Sequence, residues 1–135
     1  MYLSLLNREQ KSLFLELELY MSKIDSNFSE EEKIIINTHC LEMHIDNNNY
    51  ECTMPLDLVI SRIQKEFGDK EKRIVFLELV ATIMADNVYH DAEKELLNKL
   101  QELLEFDSAS TKIVFDIINS IKESYKKCAH FVMEG

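Results

Sequence analysis

Apolar residues recur at intervals of three and four along almost the whole chain, the mark of helices that turn one face to a core. Leu13, Leu17, Tyr20, Met21 and Ile24 form the first stripe, and Ile34, Thr38, Leu41 and Ile45 the second. Asn7-x-x-Gln10 and Ser29-x-x-Glu32 stand where capping boxes would open those helices. Asp46 to Thr53, with three consecutive asparagines, reads as a loop. Pro55 suits the first turn of a third helix carrying Leu56, Val59, Ile60, Ile63 and Phe67, with Gly68 as its C-terminal cap. A fourth helix from about Lys70 carries Phe76, Leu79, Val80, Ile83 and Met84. A fifth from about Asp91 carries Leu96, Leu97, Leu100, Leu103 and Leu104. After a break at Asp107-Ser108-Ala109-Ser110, a long last helix over about 110–133 carries Ile113, Val114, Ile117, Ile118, Ile121 and Tyr125.

Two of these segments repeat each other. Asp25-x-x-Phe28-x-Glu30-x-Glu32-Lys33 matches Asp86-x-x-Tyr89-x-Asp91-x-Glu93-Lys94. Each follows a helix containing Phe-Leu-Glu-Leu, at Phe14 to Leu17 and Phe76 to Leu79, with one residue of slippage. The pattern predicts a duplicated helix-loop-helix unit, with halves at about 11–45 and 70–106. The expected fold is therefore all-α: a compact single domain over 1–135, with six to seven helices.

Composition narrows the partners. With 135 residues, the chain suffices for one core. Only two glycines and one proline interrupt it, which favours helix over sheet. Acids outnumber bases 25 to 15, a formal charge of −10, and such a surface does not suit nucleic acid. It attracts cations or a basic protein, or it serves solubility. No eighteen-residue uncharged apolar run exists, and Met1 to Leu6 leads straight into Asn7-Arg8-Glu9 without the regions of a signal peptide. A cytoplasmic protein without a membrane span is expected. Cys40, Cys52 and Cys128, odd in number and far apart, read as buried thiols rather than a disulfide framework.

The acids of the repeat carry the candidate chemistry. Glu30, Glu31, Glu32, Asp91 and Glu93 fall in first turns of helices, where the macrodipole favours them by about 0.3–1 kcal/mol each. Asp25 and Asp86 fall at helix C-termini, where the dipole disfavours them. Either they form Asx-turns, or they converge with the Glu residues across the loop to hold a hard divalent cation, Mg²⁺ or Ca²⁺. An EF-hand is excluded by the letters: from Asp25 the sixth position is Glu30 and the twelfth Ile36, and from Asp86 the third is Val88.

Ala81-Thr-Ile-Met-Ala-Asp86-Asn-Val-Tyr-His-Asp-Ala-Glu93 resembles the TerB-like domains of tellurite-resistance proteins and of the N-terminal region of a membrane-anchored DnaJ-type chaperone. The resemblance spans roughly Leu13 to Ile121. It implies a compact all-helical protein linked to bacterial stress response, with an acidic cluster that binds metal. On that pattern Asp25, Glu32, Asp86 and Glu93 are the metal positions, with Glu30 and Asp91 as additional ones. Family members usually place Gly directly after the Asp, whereas Ser26 and Asn87 stand here, so the second junction is the more faithful copy.

Other constellations are thinner. Cys40 and His44 lie i, i+4 and would share a helical face, but zinc needs further ligands that the sequence does not place nearby. His90 borders Asp91 as an outer ligand or a solvated side chain. There is no phosphate loop, nucleophile elbow or His-Glu-x-x-His helix, and the chain reads as non-enzymatic. Two functions are expected: a TerB-like stress-response module that binds a divalent cation or a protein partner through its acidic junctions, or an acidic inhibitor or immunity-type protein that covers a basic toxin or nuclease. The partner's identity and the oligomeric state stay open at this level.

Overall fold

Both predicted capping boxes form and set where the first hairpin begins and turns. Asn7 Oδ1 accepts from the Gln10 N–H, and Gln10 Oε1 from the Asn7 N–H, each at 2.9 Å. Ser29 Oγ accepts from the Glu32 N–H at 3.1 Å, and Glu32 Oε1 accepts from the Ser29 N–H at 3.3 Å. These donors would otherwise be orphaned at helix starts.

A computed structural model describes residues 1–24, 28–46, 49–85 and 91–134. Among them lie a 3₁₀ turn at Leu3–Leu5 and six α-helices: α1 (Arg8–Lys23), α2 (Glu30–Met43), α3 (Leu56–Glu66), α4 (Asp69–Ile83), α5 (Asp91–Leu103) and α6 (Ser108–Glu134). No described residue is in a strand. The protein is all-α, with one core shared by every helix. No helix among the described residues is long and apolar enough to cross a membrane.

α1 is the hub of that core, touching α2, α3, α4 and α5. Phe14, Leu17 and Met21 are fully buried on it, and Phe76, Leu79 and Val80 answer them from α4. The stripes predicted for α3, α4 and α5 are the ones that bury: Val59, Ile60 and Ile63; Phe76, Leu79 and Ile83; Leu96, Leu97 and Leu100.

Three expectations are corrected. On α2, Ile34, Thr38 and Leu41 face solvent, and the core side is Ile36, His39, Cys40 and Met43. Ile34-Ile35-Ile36 puts apolar groups on all sides of the helix, so spacing could not choose a face, and the buried side is the one with the polar partners described below. Gly68 does not cap α3. Its backbone is extended (φ −77°, ψ 177°) and it is the N-cap of α4. On α6, Ile113 and Ile117 are exposed, and Ile118 is the buried residue.

The loop before α3 is tied to α1. Glu16 is almost buried and its carboxylate accepts from the Thr53 N–H at 2.9 and 3.0 Å and from Thr53 Oγ1 at 2.5 Å. One turn on, the Tyr20 hydroxyl donates to the Met54 carbonyl at 3.1 Å. Hydrogen bonds to a charged group contribute about 1.5–3 kcal/mol. Glu16→Ala should therefore lower stability by about 2 kcal/mol in urea unfolding, while Glu9→Ala on the exposed side of the same helix should change it by less than about 0.5 kcal/mol.

Candidate functional site

The repeated junctions place their acids in two layers. Glu32 and Glu93 occupy the third position of α2 and α5, and each is 2 % exposed. Glu30 and Asp91, at the first positions, project into solvent and pair with the lysine three residues on: Lys33 Nζ lies 3.1 Å from Glu30 Oε1, and Lys94 Nζ 3.9 Å from Asp91 Oδ1. Exposed pairs of this kind contribute little. The acid-x-Glu-Lys spelling is thus an outward ion pair wrapped around an inward carboxylate. Phe28, the aromatic of the first copy, packs edge-on against Tyr50 with centroids 5.3 Å apart. Lys23 and Lys33 lie 5.8 and 5.4 Å over its ring. Asp25, Asp86 and His90 lie outside the described residues. Among the described residues no group of three or more His, Cys, Asp or Glu is arranged to hold a metal ion.

A second polar assembly, not foreseen as a unit, sits deeper. His39 on α2 is wedged between a carboxylate of α1 and one of α4: Nδ1 lies 2.5 Å from Glu18 Oε2, and Nε2 lies 3.1 Å from Glu78 Oε2. Thr82 Oγ1 donates to the same Glu18 oxygen at 2.7 Å. Glu78 Oε1 accepts from the α-ammonium of Met1 at 2.7 Å and from the Tyr2 N–H at 2.9 Å. Glu42, half-buried beside it, accepts from the Met1 ammonium at 3.1 Å and from the Leu3 N–H at 2.8 Å. Glu18, His39, Glu78 and Thr82 are all buried. Glu18 Oε1 and Ser22 Oγ, one turn apart, have no hydrogen-bond partner among the described residues.

The electrostatics follow from that geometry. Burial opposes charge on His39, but hydrogen bonds and charges from Glu18 and Glu78 override it and raise its pKa to about 9. Burial likewise opposes charge on Glu78, and the His39, Met1 ammonium and Tyr2 N–H bonds reverse it, lowering its pKa to about 2. At neutral pH the unit is an imidazolium held by two carboxylates. With N···O distances of 2.5 and 3.1 Å, it is joined by protons and has no room for a cation at the roughly 2 Å bonds that metals form.

A trace of this unit is visible in the sequence. Glu18-Leu19-x-x-Ser22 and Glu78-Leu79-x-x-Thr82 share one spacing, on α1 and α4. Matching the Phe-Leu-Glu-Leu strings pairs Glu16 with Glu78 instead, yet Glu16 holds Thr53 and Glu18 joins the network.

The Cys40–His44 face does not form. His44 has left the helix in the left-handed conformation (φ 57°) and is exposed, while Cys40 is buried. Burial, followed by the charges of Glu18 and Asp46, pushes the Cys40 thiol up to about 11. The expectation of three buried thiols holds only there, since Cys52 is half-buried and Cys128 exposed. His130 faces Glu134 on the surface of α6 at 2.5 Å.

Two shallow apolar grooves flank α6. One runs between Arg73, Leu77 and Phe106 and its first turns at Ile113 and Ile117. The other runs between Ile34, Ala81 and Ala85 and its middle at Ile121 and Tyr125. No protein-family model matches this sequence, and neither a curated protein nor a solved structure does.

Proposed function

We propose that this chain is a non-enzymatic TerB-like module of the bacterial stress response, related to tellurite resistance, which engages a divalent cation at its acidic helix junctions. The supporting observation is the twin placement of Glu32 and Glu93: two carboxylates at the third positions of α2 and α5, both buried at 2 % exposure. First-turn acids are ordinarily solvated, whereas these two lie inside the junctions that carry the repeated acidic pattern. Glu32 Oε1 also closes the cap of α2. Mg²⁺ or Ca²⁺, which prefer several carboxylate oxygens, fit such a site, with Asp25 and Asp86 supplying oxygens from across each loop.

Calorimetry tests this directly. A cation present at about a hundredfold excess over its dissociation constant should add roughly 2.7 kcal/mol, a rise of about 10 °C in melting temperature. Asp86→Ala and Glu93→Gln should each remove most of that rise. Absence of both binding heat and a melting shift with millimolar Mg²⁺ and Ca²⁺ would count against the reading.

The outer layer of acids favours a second reading. Glu30, Glu31 and Asp91 are exposed on a chain of charge −10, a surface complementary to a basic toxin or nuclease of the kind an inhibitor or immunity protein covers. Capture of such a partner would weaken as salt rises and would survive removal of divalent cations.

A further inference from the structure

The seam that seats α6 on the domain continues where the domain ends. Val114, Ile118, Ile121, Tyr125, Cys128 and Val132 follow one another at alternating steps of four and three, the spacing of a helix that pairs lengthwise with another helix. The first three rest on the body, with Ile118 only 4 % exposed. The last three do not: Tyr125 is 73 % and Val132 74 % exposed, and every residue from Glu123 to Glu134 faces solvent. This overhang of about 18 Å is rooted at Lys122, whose Nζ donates to the Met84 carbonyl at the end of α4 at 2.5 Å.

Spacing makes the missing neighbour a helix, and charge selects which one. Within α6 four lysines (112, 122, 126 and 127) stand against three acids (Asp116, Glu123, Glu134), a net +1 that leaves the rest of the chain at −11. Copies of so acidic a body repel each other, least of all along this helix. The positions flanking the seam are Lys122, Ser124, Ala129 and Phe131. Only Lys122 is charged, at the root where it already donates to the Met84 carbonyl, and Ser124 and Ala129 are small enough for close approach.

We propose that α6 is an antiparallel dimerisation helix whose occupant is the same segment of a second copy. A parallel pair would set two bodies of −11 side by side, whereas the antiparallel pair holds them at opposite ends of the overhang. In this register Tyr125 packs on the partner's Cys128, and Val132 reaches the partner's Ile121, at the edge of the groove beside Ile34. An aromatic side chain buries about 150–250 Å², so Tyr125 and Phe131 alone bring about 300–500 Å² per partner, and Cys128, Val132 and Ile34 add to it toward the roughly 800 Å² of a standard interface.

Sedimentation equilibrium on the full chain under reducing conditions should give a two-fold dimer. Val132→Glu, at an exposed position, should keep the helical circular dichroism and melting curve of the parent subunit and raise the dissociation constant about a hundredfold. Tyr125→Cys, oxidised by air, should yield a dimer linked through the partner's Cys128, which peptide mapping identifies. A parent chain that stays monomeric at its highest soluble concentration overturns the proposal, as does dimerisation indifferent to Val132→Glu. A Cys128–Cys128 link as the main oxidised product of the parent would overturn the antiparallel register. Neither the dimer nor its cross-link depends on divalent cation, so loss of the metal reading leaves this result unaffected.

Discussion

His39→Leu should lower folding stability by about 3–5 kcal/mol, the cost of removing one member of a buried ion pair and leaving its partners uncompensated. Here the substitution abandons two carboxylates, Glu18 at 0 % and Glu78 at 1 % exposure, on either side of a side chain that can no longer donate to them. Since a domain of this size is stabilised by about 5–15 kcal/mol in all, the loss is a large part of the total. Urea unfolding followed by circular dichroism measures it. Adding Glu18→Leu should recover part of the deficit, because an unpaired buried charge is worse than none. A drop below about 1 kcal/mol for His39→Leu with an unchanged urea dependence would mean that the imidazolium does not bridge the two helices in solution.

The same unit gives stability a bounded pH range. His39 titrates at about 9 in the folded protein against 6.5 unfolded. Its contribution is therefore complete below pH 6.5 and lost as pH rises through 9, about 3 kcal/mol in all. Glu78 titrates at about 2 against 4.5 unfolded. Its contribution is complete above pH 4.5 and lost as pH falls toward 2. The unfolding free energy should thus peak between about pH 4.5 and 6.5 and decline on both sides. The two arms share the His39–Glu78 contact, so they do not add independently. His39→Gln should flatten the alkaline arm. A parent protein equally stable at about pH 6 and pH 9 would show that His39 carries no extra proton in the fold.

The fold was legible because its evidence is periodic and local. Asn7 and Ser29 announce helix starts through contacts three residues long, and the stripes of α3, α4 and α5 are amphipathic enough to name their own buried faces. α2 withheld its face because isoleucines surround it and its inward side includes His39, which a hydrophobicity pattern counts as solvent-facing. α6 misled for the opposite reason: Ile113, Ile117 and Tyr125 have the spacing of core residues, and spacing cannot tell a seam already covered from one left open. At the junctions, the equivalence of Glu32 and Glu93 could be read from the repeat, but their burial could not, since first-turn acids are ordinarily solvated. The Glu18–His39–Glu78 unit was hardest to see. Its members lie 21 to 60 residues apart, and only the matched Glu-Leu-x-x-Ser/Thr strings of α1 and α4 hint that two of them belong together.

The sequence distances inside that unit bear on the order in which the molecule assembles. Glu18 meets His39 across 21 residues and Thr82 across 64, so the chain must close large loops before these contacts can form. Apolar docking of α1 on α4 can tolerate loose geometry, whereas bonds of 2.5 to 3.1 Å to one imidazole require three helices already in register. The network should accordingly be weakly formed in the folding transition state, and its free energy should appear almost wholly in the unfolding rate. Removing His39 would leave the speed of folding nearly unchanged and shorten the lifetime of the folded molecule by two orders of magnitude or more. The buried imidazolium is in this sense a latch set after closure, and it governs how long the domain stays shut.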